Sequence, residues 1–173
     1  MHLSLPDRLR AARKAAGLSQ RKLAARAGLS DTAVLYIEGG RVPGVDTVEK
    51  IARALNVPPC WLGFGPHGNE VFREKVPGGA MPADTLPAPA AQVALDVPLT
   101  CDGLPSRLQL AQKARAISRR ALSRASEVLS SSILNYEAGR NVPSVATVER
   151  LALALGVSPC WLAYGEGEGP AGS

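Results

Sequence analysis

The sequence has few of the side chains on which catalysis and metal binding usually depend. It contains two histidines, His2 and His67, and three cysteines, Cys60, Cys101 and Cys160. No two cysteines form a C-x-x-C pair and their number is odd, so neither a zinc site nor a disulfide framework is predicted. Cys60 and Cys160 are interpreted as small buried apolar residues. Without a nucleophile–base set, a phosphate loop or a metal-ligand cluster, the sequence predicts no enzyme, metal or cofactor.

Aromatic residues and long apolar runs are also scarce. Aromatics make up 4% of the chain although 46% is hydrophobic, so the core must consist mainly of aliphatic side chains. Because Ala and Leu are strong helix formers, this composition favours an all-α fold. No apolar run is long enough to span a bilayer. The N-terminal stretch MHLSLPDRLRAARK has no apolar signal-peptide core. We therefore expect a cytoplasmic protein with no membrane partner.

Charge is distributed unevenly along the chain. Residues 1–64 and 105–164 each carry +5, whereas residues 65–104 carry −3 and the last nine residues −2. Two basic segments separated by an acidic one suggest two sites for a polyanion. Ordinary solvated helix faces are the alternative, and charge alone does not decide between them.

The two basic segments are copies of one another. LPDRLRAARKAAGLSQRKL aligns with LPSRLQLAQKARAISRRAL at an offset of 99, and GGRVPGVDTVEKIARALNVPPCWLGFG aligns with AGRNVPSVATVERLALALGVSPCWLAYG at an offset of 100. The extra residue is Asn141. Roughly half of about 60 aligned positions are identical, which indicates a duplication. The predicted domains are a first copy (1–64), a Pro-rich acidic linker (65–104), a second copy (105–164) and a flexible tail (165–173).

Helical periodicity and capping residues predict five helices in each copy. The predicted ranges are 6–16, 20–27, 31–39, 45–55 and 59–64, then 105–115, 119–126, 130–138, 145–155 and 159–163. Leu9, Ala12 and Ala16 are expected to lie on one face of the first helix. Ser19 and Ser30 are expected to cap the second and third helices, and Ser144 to cap better than its counterpart Gly44. The linker is expected to be extended, although residues 69–76 and 91–97 alternate in part as strands do.

A set of residues in and around the second and third helices carries a resemblance to a known family. In the first copy these are Leu18-Ser19-Gln20, Leu23-Ala24, Gly28-Leu29-Ser30, Val34, Ile37-Glu38, Gly40, Pro43, Thr47 and Ala52-x-x-Leu55. With them, each copy resembles the helix-turn-helix domain of the lambda-repressor/Cro family, also called the XRE family. The resemblance covers about 120 of the 173 residues. It implies two tandem five-helix lambda-repressor-like DNA-binding domains, with double-stranded DNA as the partner.

The resemblance also implies roles for individual residues. The third helix would lie in the major groove, and contacts to phosphate would fix its position. The implied base-contacting residues are Asp31, Thr32, Ala33 and Tyr36 in the first copy, and Ser130, Ser131, Ser132 and Asn135 in the second. The implied phosphate-contacting residues are Gln20, Arg21 and Arg41, and Arg119, Arg120 and Arg140. Asp31 has an alternative role, because an acidic residue favours the helix N-terminus.

The second copy departs from the family pattern at three points. The resemblance implies an ion pair between Arg13 and Glu38 that ties the first helix to the third. Gln112 replaces the arginine, so the ion pair is expected to be lost, with a hydrogen bond from Gln112 to Glu137 as its substitute. Glu127 replaces the turn glycine Gly28, which strains the backbone. Leu129 replaces Ser30 and cannot cap, so Ser130 would shift the cap by one residue.

Two functions therefore remain open. The first is a sequence-specific transcriptional regulator of the repressor type, which inserts the third helix of one or both copies into the major groove. An intramolecular pseudo-dimer would then meet two unlike half-sites, because the third helices differ, and a homodimer is the other form of pairing. The second is an antitoxin-like or antirepressor module, in which the second copy serves pairing and the linker holds a protein partner.

Overall fold

The computed structural model describes residues 3–66, 68, 103–167 and 169–170, and these residues form ten helices and no strand. The first copy contains α1 (Leu5–Ala15), α2 (Gln20–Arg26), α3 (Ala33–Glu38), α4 (Val45–Leu55) and α5 (Pro59–Phe64). The second contains α6 (Leu104–Ala114), α7 (Arg119–Ser126), α8 (Ser130–Glu137), α9 (Val145–Leu155) and α10 (Pro159–Tyr164). The predicted all-α fold is confirmed, and none of these ten helices is long and apolar enough to cross a membrane. The two suggested linker strands fall outside the described residues.

Each helix contributes a fully buried aliphatic side chain to a core that also contains further buried residues of both copies. These fully buried side chains are Leu9, Leu23, Val34, Ile51 and Leu62 in the first copy, and their counterparts Leu108, Leu122, Ile133, Leu151 and Leu162 in the second. Leu9 and Ala12 are buried on the predicted face of α1, whereas Ala16 is exposed. α1 ends at Ala15 and Gly17 turns the chain away with a φ of 65°, so Ala16 lies past the helical face.

Serine caps begin several of the helices, as predicted, but not the third. The side chains of Ser19 and Ser144 accept hydrogen bonds from the backbone N–H groups of Lys22 and Thr147. The Ser30 cap is wrong: α3 begins only at Ala33, whose N–H donates to the Ser30 backbone carbonyl at 2.9 Å. A turn through residues 31–32 therefore precedes α3.

In the second copy the equivalent stretch is helical from its start. α8 begins at Ser130, with Leu129 at the N-cap position and no side-chain cap hydrogen bond. The predicted shift of the cap to Ser130 is therefore also wrong, since Ser130 is already the first helical residue. As a result α8 has eight residues and α3 has six.

An arginine on the first helix of each copy fastens the last helix. Arg8 donates from Nε to the Leu62 carbonyl at 3.2 Å and from Nη2 to the Gly63 carbonyl at 2.9 Å. Arg107 makes the equivalent bonds to Leu162 and Ala163, at 3.0 and 2.6 Å. The last carbonyls of a helix lack intrahelical partners, so these guanidinium groups satisfy them. Burial lowers the pKa of Arg8 below its ordinary value.

The two copies contact each other through equivalent residues. The N–H of Val45 donates to the Pro143 carbonyl at 3.2 Å, and the N–H of Val145 donates to the Pro43 carbonyl at 3.1 Å. The rings of Phe64 on α5 and Tyr164 on α10 lie 6.0 Å apart between centroids. Because each residue meets its own counterpart or that of a close neighbour, the copies are related by a pseudo-two-fold axis at this contact.

A disulfide crosses the same contact and corrects one prediction. Cys60 and Cys160 are buried as expected, but they are bonded to each other, with their Cα atoms 5.3 Å apart. Interpretation as two independent apolar residues was wrong. The two cysteines occupy the same position in α5 and α10, and a two-fold axis between those helices brings equivalent positions together.

Candidate nucleic-acid interface

The predicted base-contacting residues lie in the third helix of each copy or in the turn before it. In the first copy Asp31, Thr32 and Tyr36 are exposed and Ala33 is half-buried, while Val34 and Ile37 point into the core. In the second copy Ser130 and Ser131 are exposed, Ser132 and Asn135 are half-buried, and Ile133 points into the core. Asp31 and Thr32 lie in the turn before α3, whereas the three serines lie in the first turn of α8.

Glu38, the last residue of α3, is the centre of a polar cluster in the first copy. Arg13 on α1 donates from Nε to Oε1 at 2.6 Å and from Nη2 to Oε2 at 3.0 Å, which makes the pair bidentate. Gln20, the first residue of α2, donates from Nε2 to Oε2 at 2.7 Å. Arg10 donates to the Glu38 backbone carbonyl at 2.9 Å. Through this one carboxylate, α1 and the start of α2 are both fixed against the end of α3.

The cluster keeps Glu38 ionised although its side chain is only 3% exposed. Burial would raise the pKa of Glu38, but hydrogen bonds from Arg13 and Gln20, with the charges of Arg13 and Arg10, outweigh it and hold the pKa below its ordinary value. The hydrogen bond to Glu38 raises the pKa of Arg13. Charge-assisted bidentate pairs of this kind are the stronger hydrogen bonds in proteins.

The second copy builds the same cluster around Glu137 with the partners exchanged. Gln112, the counterpart of Arg13, donates from Nε2 to Oε1 at 2.8 Å. Arg119, the counterpart of Gln20, donates from Nη2 and Nε to Oε2 at 2.6 and 2.9 Å. Gln109 replaces Arg10 and donates to the Glu137 carbonyl at 3.2 Å.

The Arg13–Glu38 ion pair has no counterpart at Gln112, as expected, but sequence reasoning missed its replacement, an ion pair between Arg119 and Glu137. The Gln112–Glu137 hydrogen bond is present as expected, but the arginine has moved from the first helix to the start of the second. This move changes its surroundings, because the Arg13 side chain is 12% exposed and the Arg119 side chain 43%. The cation of the second copy thus lies at the surface where phosphate contacts were expected.

The remaining phosphate candidates are all exposed. Arg21 pairs with Asp31 across 2.9 Å, and both side chains are largely in solvent. Such surface pairs contribute little to stability, so Arg21 can leave Asp31 for a nearby anion at small cost. Arg120 lies on α7, and Arg41 and Arg140 follow the ends of α3 and α8.

Two turns keep a left-handed backbone in both copies, although the residue at each turn differs. As predicted, Glu127 adopts the left-handed conformation, with a φ of 55°, where Gly28 has a φ of 64°. Sequence reasoning missed a second such position: Ala116 has a φ of 49° where the first copy has Gly17. The alignment of the two copies could have predicted this conformation, because Ala116 aligns with Gly17, the glycine that ends the first helix.

Several structural residues around the surface were also missed. Arg10 and Gln109 support the ends of α3 and α8, and Arg8 and Arg107 hold the last helices. All four lie on the first helix of a copy and pair at an offset of 99. These residues could have been found from the alignment of the two copies, because each position keeps a side chain that can donate hydrogen bonds in both copies.

Comparison with protein families agrees with the geometry of both copies. Residues 9–62 match a family model described as helix-turn-helix, and residues 105–163 match one described as a helix-turn-helix domain. The chain belongs to the XRE-type helix-turn-helix proteins. It holds two such units in tandem, and these units make it a DNA-binding regulator. No solved structure matches the chain closely enough to count as a relative.

Proposed function

We propose that the two helix-turn-helix units bind one operator together as an intramolecular pseudo-dimer, with α3 and α8 in successive major grooves. The observation that carries the proposal is the pseudo-two-fold contact between the copies, formed by Val45 with Pro143, Val145 with Pro43, and Phe64 with Tyr164. Dimeric helix-turn-helix proteins use such an axis to meet two half-sites about 34 Å apart. The proposed units are residues 1–64 and 105–164, with a linker at 65–104 and a tail at 165–173.

The half-sites are proposed to differ. The first copy offers Asp31, Thr32, Ala33 and Tyr36, and the second offers Ser130, Ser131, Ser132 and Asn135. Asparagine pairs with adenine N6 and N7, whereas aspartate accepts from cytosine N4 and a threonine methyl contacts the thymine methyl. Because these two sets of side chains differ, they select different bases, and the operator is expected to be an imperfect palindrome.

Phosphate contacts are proposed for Gln20, Arg21 and Arg41, and for Arg119, Arg120 and Arg140. Gln20 and Arg119 begin α2 and α7, where free backbone N–H groups also favour an anion. Hydrogen bonds to Glu38 and Glu137 hold the two side chains in place before DNA arrives. The role as a repressor follows from the simplest action of two DNA-binding units, which is to occupy a site and exclude other proteins from it.

The test uses one alanine variant in each recognition helix. Tyr36→Ala and Asn135→Ala should each weaken binding by about 1–3 kcal/mol and relax base preference in one half-site only. Lys50→Ala, on the exposed face of α4, serves as the matched control. Quantitative footprinting on duplexes with single base changes measures both effects. Protection of a single groove by the wild-type chain would contradict the pseudo-dimer.

One observation favours the alternative function for the second copy. Leu129, at the start of α8, is 72% exposed where the first copy has Ser30. A leucine side chain donates no hydrogen bond to a phosphate, whereas it can pack against an apolar surface of a protein partner. If Asn135→Ala leaves base preference unchanged while Tyr36→Ala relaxes it, the second copy serves pairing or protein binding.

A further inference from the structure

The disulfide joins the two units at the centre of their contact. Cys60 lies on α5 and Cys160 on α10, so the bond links the last helix of one unit to the last helix of the other. The described contacts around it include two backbone hydrogen bonds, the Phe64–Tyr164 ring contact, and a hydrogen bond from Tyr164 Oη to the Val45 carbonyl at 3.2 Å. Domains of one chain usually move relative to each other unless their interface is large and apolar.

The sulfur atoms are closely surrounded. Cys60 is 4% exposed and Cys160 is fully buried. On one side the backbone of Gly68 closes the site, since its carbonyl accepts from the Cys160 N–H at 3.2 Å and from Ser158 Oγ at 2.8 Å. A Cβ at Gly68 would lie 2.7 Å from Cys160 Sγ and 3.2 Å from Cys60 Sγ. There is consequently little room for the sulfur atoms to separate while α5 and α10 stay in place.

Two thiols need more space than one disulfide. Bonded sulfur atoms lie roughly 2 Å apart, whereas non-bonded heavy atoms settle at roughly 3.5–4.0 Å. Reduction of the bond therefore requires α5 and α10 to move apart or the side chains to rotate into space that Gly68 occupies. Either change acts directly on the contact that sets the positions of α3 and α8 relative to each other.

We propose that Cys60 and Cys160 form a reversible redox site that determines whether the two helix-turn-helix units act as one body or as two tethered units. In the disulfide form the half-site separation is fixed by the contact. In the dithiol form the contact opens and the units accept a range of separations. In reducing compartments, where the proposed function would operate, protein disulfides are mostly transient and often redox-sensing.

The oxidant is a low-molecular-weight disulfide of the oxidised glutathione class. One cysteine thiolate attacks it, forms a mixed disulfide and releases one small thiolate. The second cysteine thiolate then attacks the protein sulfur of the mixed disulfide and releases the other small thiolate. Two protein thiols are oxidised and one small disulfide is reduced to two thiols, with the protons exchanged through solvent. Because both sulfur atoms are buried, oxidation and reduction each require the contact between the two units to open first.

The first experiment needs no DNA. Hydrogen exchange at the amides of Val45 and Val145, which donate across the contact, is measured on the full chain in buffers of reduced and oxidised glutathione. Reduction, or Cys60→Ser, should speed exchange at both amides at least about tenfold. The amides of Leu23 and Leu122, bonded within their own units, should change less than about twofold. Cys101→Ser is the matched thiol control and should behave like the wild type.

Equal protection of Val45 and Val145 in the two redox states would overturn the proposal. So would a Cys60–Cys160 bond that thiol trapping and mass spectrometry find unchanged across all glutathione ratios. If Cys60→Ser fails to fold, the reduced wild-type chain supplies the same comparison without any substitution.

The second experiment measures the consequence for DNA, which rests on the proposed function. The duplexes carry the two half-sites, identified beforehand by selection from random duplexes, with zero to five added base pairs between them. Five added pairs turn one half-site to the opposite face of the DNA helix. The oxidised chain should lose at least about tenfold in affinity at five added pairs, and the reduced chain less than about threefold. Identical profiles would contradict the redox coupling. Failure to bind any duplex would contradict the proposed function. The hydrogen-exchange and thiol-trapping results would then be the only tests of the redox site.

Discussion

The two copies hold their third helix with the same three positions, yet they distribute the charges differently. In the first copy the arginine that pairs with Glu38 is Arg13, on α1, and the amide is Gln20, on α2. In the second copy the amide, Gln112, is on α6 and the arginine, Arg119, is on α7. What the duplication retained is a carboxylate that receives one guanidinium and one amide. The position of the cation was free to change.

The exchange has a different consequence in each copy. Arg13 and Glu38 form a mostly buried pair, so the first copy depends on it for the packing of α1 against α3. Arg119 is nearly half exposed, so the second copy has a weaker internal pair but a cation at the surface proposed to meet phosphate. The second copy also uses Ala116 and Glu127 where the first uses glycine in left-handed turns. The comparison predicts a first copy that is better anchored internally and a second copy that depends more on electrostatic contact with its ligand.

The largest expected effect is removal of the central carboxylate. Glu38→Ala leaves Arg13 buried without its partner and should destabilise the first copy by about 3 kcal/mol. Glu137→Ala should cost the second copy about 1 kcal/mol, because Arg119 can reach solvent. Hydrogen exchange at the amides of Leu23 and Leu122 reports the stability of each copy separately. Equal losses in the two copies would remove the distinction between a buried and an exposed pair.

A double-mutant cycle tests whether the arginine and the amide are interchangeable. Arg13→Gln alone should destabilise the first copy by about 2 kcal/mol, and addition of Gln20→Arg should bring it back to within about 1 kcal/mol of the wild type. Urea unfolding measures each variant. Arg53→Gln, which breaks an exposed pair with Glu49, is the control and should cost less than about 0.5 kcal/mol. Additive effects of the two substitutions would mean that position 20 cannot replace position 13.

The smallest expected effect concerns the left-handed turns. Ala116→Gly and Glu127→Gly should each stabilise the second copy by about 0.5–1 kcal/mol, because glycine adopts a positive φ without strain. Asn56→Gly in the first copy is the matched control and should change stability by less than about 0.5 kcal/mol, since asparagine tolerates this conformation. Thermal unfolding gives the comparison. A loss of stability on either glycine substitution in the second copy would show that these side chains make stabilising contacts.

The sequence was sufficient for features that depend on local pattern. Helix periodicity predicted α4, α5, α7 and α9 with their observed ends, because apolar spacing and capping residues act over a few neighbouring positions. The left-handed turn at Glu127 followed from the glycine it replaces. The late start of α3 did not, because Ser30 has two ways to satisfy the following N–H groups, through its side chain or through its carbonyl.

Features that join distant elements were harder to predict. The replacement ion pair of the second copy, Arg119 with Glu137, was missed because only the counterpart of Arg13 was considered. A carboxylate at the end of α8 is reached from two helices, and the second of them supplied the arginine. The disulfide required knowledge that α5 and α10 lie across a pseudo-two-fold axis. An equivalent cysteine in each copy is uninformative until the helices that carry them are known to meet.

Selection of bound sequences from a pool of random duplexes tests the central claim most directly. The full chain under oxidising conditions should enrich duplexes with two half-sites of different sequence, at one fixed separation near one turn of DNA. The Tyr36→Ala and Asn135→Ala chains should each lose base preference in one half-site and keep it in the other. Enrichment of a single half-site, or of two identical ones, would contradict the account that both copies read DNA through unlike recognition helices.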